Sequence, residues 1–528
     1  MPSLWRHLRC PWERKVSRKD RHSTFKKESN SPSQLYKPLE TTKSEIRLLK
    51  LIPNSQDGGI ECMLFTVSLK DTPKLHYVSV SYVWGDPDIT EEIRVDGQPF
   101  RVTTNLASLF RHLKKLYELN PALQHLELWV DAICINQADI IERNSQVELM
   151  ADIYQGSGYS ISWLGAEENN SELALRTFRE FSEQTSSWPL DSESISNSCL
   201  TNMSVNLCQP DEDFDGDYLV KNHAWLSIQN LLSRPYWERI WTFQELVLPK
   251  KVLVMCGLTL CSLEHLTGFA VWFEMLRDQE TCPEGMDEER IWKMISSSHY
   301  FKYELGLAPL TRIFSGRLMR AGGLDRDWTH WEFKKLTTCL RSTDARDAIY
   351  GLMGMIQFPV RPDYNKPVRE VYMEYAVLTA TENYSDFIKV SGYTTAESLQ
   401  VNPLNLPSWV PDWSTEHEPI RGEFMNQLPK NAYSASKDLV QTQPRVSAEN
   451  LYLSGIFCDK ITLVEPPMEY QDLFNFACLY LQAHDLASYP TGMPPMQVLF
   501  RVLLYESSQP LTDKTFCYTS FCRGVGTI

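Results

Sequence analysis

Leu128-Trp-Val-Asp-Ala-Ile-Cys-Ile-Asn-Gln137 runs into Ala138-Asp-Ile-Ile-Glu-Arg-Asn-Ser-Gln-Val147, and Ile161-Ser-Trp-Leu-Gly165 follows shortly after. The order is strand, polar loop, helix, strand. Leu128 to Val130 is an apolar run suited to a fully buried strand, and it places Asp131 at the carboxyl end, where open α/β sheets collect ligand-contacting groups. Asp139 with Glu142 three residues on has the spacing of a capping box, so a helix start is signalled locally. Val147, Met150, Ile153 and Tyr154 then recur at helical spacing and predict one buried face.

Outward from this segment the same alternation repeats. Strands are predicted at 77–82, 127–133, 159–164 and 251–256, and helices at 105–117, 139–156 and 234–248. A repeating β-α order predicts a parallel sheet with helices on both faces. Asn105 is read as a helix cap, with Leu106, Leu109, Phe110, Leu113 and Leu116 on the buried side. Ile46–Ile52 and Ile60–Val67 flank a turn and predict an edge hairpin. Asp96-Gly97 lies between alternating segments at 93–102, a strong short-range hairpin signal and hence an inserted hairpin. Ser233-Arg-Pro-Tyr starts the last of these helices, with Pro235 in its first turn.

Composition excludes several classes. With 528 residues, 43% hydrophobic and 23% charged, the chain is globular and long enough for two or three cores. Thirteen cysteines fall without a Cys-x-x-Cys pair or regular spacing, and no signal peptide precedes them. Reduced thiols in a cytoplasmic protein without bound zinc are therefore expected. A net charge of −15 argues against a protein-wide nucleic-acid surface, which needs clustered cations to neutralise phosphates. The first 40 residues form a basic polar tail, read as disordered; Glu13, Asp20 and Glu28 interrupt it and weigh against a mitochondrial presequence. No apolar run reaches the roughly 20 residues that span a bilayer.

Two further segments complete a recognisable set with the opening one: Ser79-Val-Ser-Tyr-Val-Trp-Gly-Asp86 and Trp237-Glu-Arg-Ile-Trp-Thr-Phe-Gln-Glu245. In this order they resemble the fungal heterokaryon-incompatibility (HET) domain over about residues 46 to 260. Asp344-Ala-Arg-Asp-Ala-Ile-Tyr-Gly-Leu-Met-Gly354 and Leu406-Pro-Ser-Trp-Val-Pro-Asp-Trp413 resemble segments that follow that domain and extend the likeness to about residue 415. The resemblance implies a part in non-self recognition and programmed cell death. The element order is also similar to the Toll/interleukin-receptor (TIR) domain, a flavodoxin-like fold, and Trp-x-x-Gln-Glu falls where TIR domains carry a similar segment. In TIR domains that cleave NAD a glutamate on that helix is catalytic, which implies Glu245 here and NAD as substrate rather than cofactor.

A carboxylate near the ribose stabilises the oxocarbenium-like charge of nicotinamide–ribose cleavage, so the role assigned to Glu245 is chemically sound. Trp237, Trp241 and Glu245 fall at i, i+4 and i+8, which predicts a carboxylate sharing a helix face with two indoles. The alternative is that both tryptophans are core and Glu245 pairs with Arg234 or Arg239. Trp84 and Gly85 leave the first strand, as Asp131 leaves the second, and all three are placed on one crevice. Trp84 would stack on a base or cover the sheet edge; Gly85 would admit a phosphate or make a tight turn. Arg143 and Gln146 follow on the next helix, Arg143 being either a crevice residue or a solvated charge. Cys134 reads as a buried thiol rather than a nucleophile.

The layout expected is thus a basic tail at 1–40, a HET domain at 46–260 with a mobile Ser/Asn/Asp-rich insertion at about 183–217, a mainly helical region at 261–440, and a mixed α/β region at 441–528. In the last, 451–463 is read as a strand and 473–486 as a helix. Residues 519–528 resemble the start of a segment found late in longer family members, which implies a shortened C-terminus. Two functions fit: an NAD-hydrolysing death effector, or a non-catalytic TIR-like domain that assembles with itself or a signalling partner.

Overall fold

The strand that organises the molecule, β3, is buried along its whole length. The computed structural model describes residues 35–53, 59–71, 76–185, 223–277, 306–321, 334–355 apart from 335 and 338, 360–382, 404–414 apart from 408, 445–447 and 450–452. Nine strands, β1 (Glu45–Leu51), β2 (Glu61–Ser68), β3 (Val78–Tyr82), β4 (Thr90–Val95), β5 (Gln98–Thr103), β6 (Glu127–Trp129), β7 (Tyr159–Trp163), β8 (Val252–Cys256) and β9 (Thr259–Ser262), join in the order β5-β4-β2-β1-β6-β3-β7-β8-β9. Within it β6, β3, β7 and β8 are mutually parallel, so these four lie in the spatial order second, first, third, fourth.

The parallel sheet expected from sequence is formed by those four strands within a larger mixed sheet, in which β2 also pairs parallel with β4. β1 runs antiparallel to both β2 and β6, and β9 antiparallel to β8. The β1–β2 hairpin is also not at an edge. Ile46, Leu48, Leu49 and Leu51 are all fully buried, and consecutive buried leucines mean that both faces of β1 are covered, as in a central strand. The edge is taken by the β4–β5 hairpin, whose Asp96 and Gly97 both have positive φ, the conformation of the tight turn that suits the strand twist.

Five helices pack around this sheet: α1 (Thr104–Leu119), α2 (Ile140–Gly156), α3 (Ser171–Thr185), α4 (His223–Leu232) and α5 (Ile240–Val247). Leu106, Leu109, Phe110, Leu113 and Leu116 are buried along α1 as expected. Asn105 does not cap it: its amide donates to the Val83 carbonyl at 2.6 Å, and its oxygen accepts from the Trp163 indole at 2.9 Å, tying the loop after β3 to β7. Asp139 caps α2 by accepting from the amides of Ile141 and Glu142. Glu142 does not close the capping box. Its carboxylate is held instead by Arg47 of β1, at 2.6 and 2.9 Å, and by the Asn136 amide at 2.7 Å.

The predicted helix at 234–248 is broken. Pro235–Glu238 is a 3-10 turn, Arg239 is extended (φ −80°, ψ 136°), and α5 starts only at Ile240. The break is a tertiary effect: the Ile240 amide bonds to the Arg341 carbonyl and the Arg341 amide to the Glu238 carbonyl, so a downstream segment pairs with this stretch as a strand would. Further elements are α6 (Leu263–Arg277), α7 (Ala308–Arg320) and α8 (Val368–Glu382). A second apolar core gathers Ile349, Tyr350, Val371, Tyr372, Tyr375, Ala376 and Trp413. Of the C-terminal strand expected at 451–463, only Asn450–Tyr452 is described, paired with Arg445–Ser447. The basic tail up to residue 34, most of the 183–217 insertion and the 473–486 helix lie outside the described residues. Among the described residues no helix is long and apolar enough to cross a membrane.

Candidate functional site

Ser81 and Ser162 face each other in register near the carboxyl ends of β3 and β7. Strand order reverses at this pair, and in open α/β sheets that is where ligands bind. Hydroxyl side chains in a strand as buried as β3 need partners, and the partner of Ser81 is Glu245. The Ser81 Oγ donates to Glu245 Oε2 at 2.5 Å and lies 2.6 Å from the Tyr236 hydroxyl. A hydroxyl has one proton to give, so while the carboxylate is ionised the chain runs Tyr236 to Ser81 to Glu245.

Glu245 is 5% exposed. Burial pushes its carboxyl up to about 7, the charge on Asp131 adds to this, and Arg239 and the Ser81 hydroxyl oppose it. Arg239 lies where the helix breaks; its guanidinium donates to the Tyr82 carbonyl at 2.6 Å and favours ionisation of both carboxylates. Burial likewise raises Asp131, against the opposing effects of the Trp84 indole, Arg239 and the Ala132 amide. The hydroxyls of Tyr82, Tyr154 and Tyr236 are all raised by burial and by the neighbouring carboxylates, which keeps them protonated as donors. Two carboxylates with one guanidinium leave an excess negative charge, which a single proton on Glu245 removes.

Asp131 sits in the first turn of the short helix Asp131–Cys134, just past β6. Trp84 Nε1 donates to its Oδ2 at 2.8 Å, and the Ala132 amide to its Oδ1 at 2.7 Å. Trp84 is thus edge-bonded to the carboxylate. Gly85 has φ +83°, with nothing nearer than 3.8 Å to an added Cβ, so the turn requires glycine for its backbone angle rather than for room. The loop carrying Asp131 is fixed from below by the buried Arg47–Glu142 pair, in which Arg47 also donates to the Cys134 carbonyl at 3.0 Å.

The structure therefore brings together Glu245, Asp131, Trp84 and Gly85 around the ends of β3 and β6. Arg143 and Trp241 contact a different cluster. The Arg143 guanidinium stacks 3.8 Å from the Tyr364 ring centre, and Trp241 packs on the second core beside Asp347. Trp237 lies on the 3-10 turn before the break and donates its indole proton to the Leu231 carbonyl, so the expected face of two indoles and Glu245 on one helix is not formed. Gln146 donates to the Glu45 carbonyl, and Cys134 is a buried thiol raised by desolvation to about 12. Arg234 is engaged with the Leu164 carbonyl and Cys256 Sγ. Ser81 and Tyr236 carry no role in the sequence reading, and Arg239 enters it only as an alternative charge partner of Glu245, which the structure places near that carboxylate. The available signal was Ser79 and Ser81 alternating inside a strand too apolar to face water.

Comparison with known proteins agrees with this geometry in extent. The family model described as heterokaryon incompatibility protein (HET) matches residues 77–245, from the start of β3 to Glu245 itself. The chain is similar to heterokaryon incompatibility protein 6, OR allele, of Neurospora crassa, at 27% identity over 71% of this chain and 58% of that protein. It thus spans a little under three fifths of the relative's length. No solved structure gives a significant match. The ordered motifs, the extent of the matched domain and the relative agree that residues 77–245 resemble the HET domain of fungal heterokaryon-incompatibility proteins.

Proposed function

We propose that this protein acts in heterokaryon incompatibility, triggering programmed cell death on non-self recognition, and that it does so by hydrolysing NAD at Glu245. The first part is supported by the matched domain and by the relative's description. What carries the second is the position of Glu245: a carboxylate on the helix preceding the fourth parallel strand, hydrogen-bonded to Ser81 at the reversal of strand order. The second-first-third-fourth order is that of flavodoxin-like sheets and supports the TIR-like reading. In this mechanism the ionised Glu245 accepts hydrogen bonds from the ribose hydroxyls and stabilises the oxocarbenium-like charge as the bond to nicotinamide breaks, and water then adds to the anomeric carbon and gives up a proton to solvent. Its carboxyl near neutrality, at about 7, supplies a substantial ionised fraction at cellular pH. Asp131 and Trp84 form the adjoining wall, and Gly85 turns the backbone of the same loop.

Burial of Glu245 to 5% exposure favours a second reading, a non-catalytic domain that passes the death signal by assembling with itself or a partner. Induced expression in a fungal host separates the two. Loss of viability accompanied by a fall in cellular NAD supports hydrolysis; loss of viability at constant NAD supports assembly alone. Survival at full expression, including with the protein forced to oligomerise, would contradict both.

A further inference from the structure

Helix α5 faces the sheet with Glu245, and its other side is gripped by the region after the matched domain. Four independent features do this. Ile240 and Arg341 share the backbone pairing that breaks the helix. Arg317 of α7 donates to the carbonyls of Leu246 and Pro249 at 2.8 and 3.2 Å, closing the helix end. Gly354 comes so close that an added Cβ would lie 2.8 Å from Ala151 Cβ and 3.0 Å from Gln244 Oε1, so residues 351–355 wedge between α2 and α5 with no side chain to spare. Finally, Tyr364 knots the three pieces together. Its hydroxyl donates to Asp347 at 2.6 Å, its ring lies under Arg143 of α2, its amide bonds to Asn144 at 3.1 Å, and Trp241 of α5 donates to the same Asp347 carboxylate.

We infer that residues 341–355 and 360–364 form an intramolecular latch that holds α5 down on the sheet and keeps the Glu245 site shut. This rests on the reading of Glu245 as the functional group. The helix has a break at each end, the extended Arg239 and Pro249, so it can move as a unit if released. On the latch side Gln244 keeps a buried amide nitrogen without a partner, beside a cavity of 360 Å³ shared with Val147, Ala151 and Gly354. Beside the tight glycine contacts, this cavity leaves room into which the freed helix end can shift. Release would expose Glu245, Ser81 and Tyr236 together, since all three meet under the same helix. The signal that opens the site would then act on the downstream region rather than on the crevice.

The test uses the full chain and two variants. Tyr364→Phe removes only the hydroxyl donated to Asp347; Gly354→Ala pushes the wedge off Gln244. Hydrogen exchange of the peptide spanning residues 236–248 is followed together with nicotinamide release and host viability. The latch predicts exchange about tenfold faster in both variants, with secondary structure retained, and stronger killing than wild type. Unchanged exchange would overturn it, as would faster exchange with killing that stays level or falls. Stronger killing without nicotinamide from any form would keep the latch and remove NAD hydrolysis.

Discussion

Ser81 on β3 and Glu245 on α5, 164 positions apart, meet through a 2.5 Å hydrogen bond at the reversal of strand order. Everything proposed for the site depends on this contact, because it sets where the carboxylate points and how readily it ionises. Ser81→Ala leaves the Glu245 oxygen and the Tyr236 hydroxyl without their shared partner inside a closed cluster. The expected loss is about 1–3 kcal/mol in urea unfolding, with Glu245 pushed further up because a donor to its charged form is gone. Tyr236→Phe, which removes only the outer donor, is expected to cost less.

The raised carboxyl of Glu245 makes stability fall with pH. The folded protein holds a proton up to about 7 that the unfolded chain releases near 4.5, so between these values the native state binds more protons and loses stability as pH rises. The loss is on the order of 3 kcal/mol and is complete above about pH 7. Asp347, raised by burial from 3.8 to about 6, adds a fall of the same sign at lower pH. Glu245→Gln is expected to flatten the melting-temperature profile between pH 6 and 7 while leaving the part due to Asp347. A profile unchanged by the substitution would mean that Glu245 is ionised throughout.

Arg47 and Glu142 are 2% and 8% exposed at their side chains and joined by two short bonds, so removing one leaves a buried charge without its partner. Arg47→Ala is expected to cost about 3–5 kcal/mol, more than any exposed ion pair on the molecule. The same change frees the Cys134 carbonyl and loosens the loop that carries Asp131. Replacing both residues with apolar ones of similar size should restore much of the stability, and denaturant midpoints of the single and double variants check this.

Gly316 of α7 lies against α5, where an added Cβ would be 2.7 Å from Phe243 Cζ and 3.0 Å from Val247 Cγ2. Gly316→Ala raises helix propensity in α7 but overpacks this contact, and the second effect is expected to win by about 1–3 kcal/mol. A rise in melting temperature would show that α5 yields easily.

The parts legible in sequence were those governed by local chemistry. The Asp139 cap, the Asp96-Gly97 turn, the buried stripe of α1 and the four parallel strands follow from residue type and spacing. Long-range pairing decided the rest. β1 carries the apolar run of a strand, but its insertion between β2 and β6 depends on partners that no periodicity names. The break at Arg239 is written in Arg341, about a hundred residues away, and the i, i+4, i+8 spacing of Trp237, Trp241 and Glu245 held no trace of it. In the site, Asp131, Trp84 and Gly85 were grouped because they leave neighbouring strand ends, whereas Glu245, on a helix, was singled out by the resemblance to TIR domains. Arg143 and Trp241 looked like crevice residues because the Tyr364 and Asp347 that engage them belong to a later region of the chain.

The central claim is that Glu245 acts on NAD, and the most direct measurement is nicotinamide release by matched amounts of wild type and Glu245→Gln, alone and under forced oligomerisation. The account predicts release from wild type and a loss of about 10² or more in the variant, whose melting temperature equals or exceeds that of wild type. Equal release from both proteins, or none from wild type in any assembled state, would contradict it.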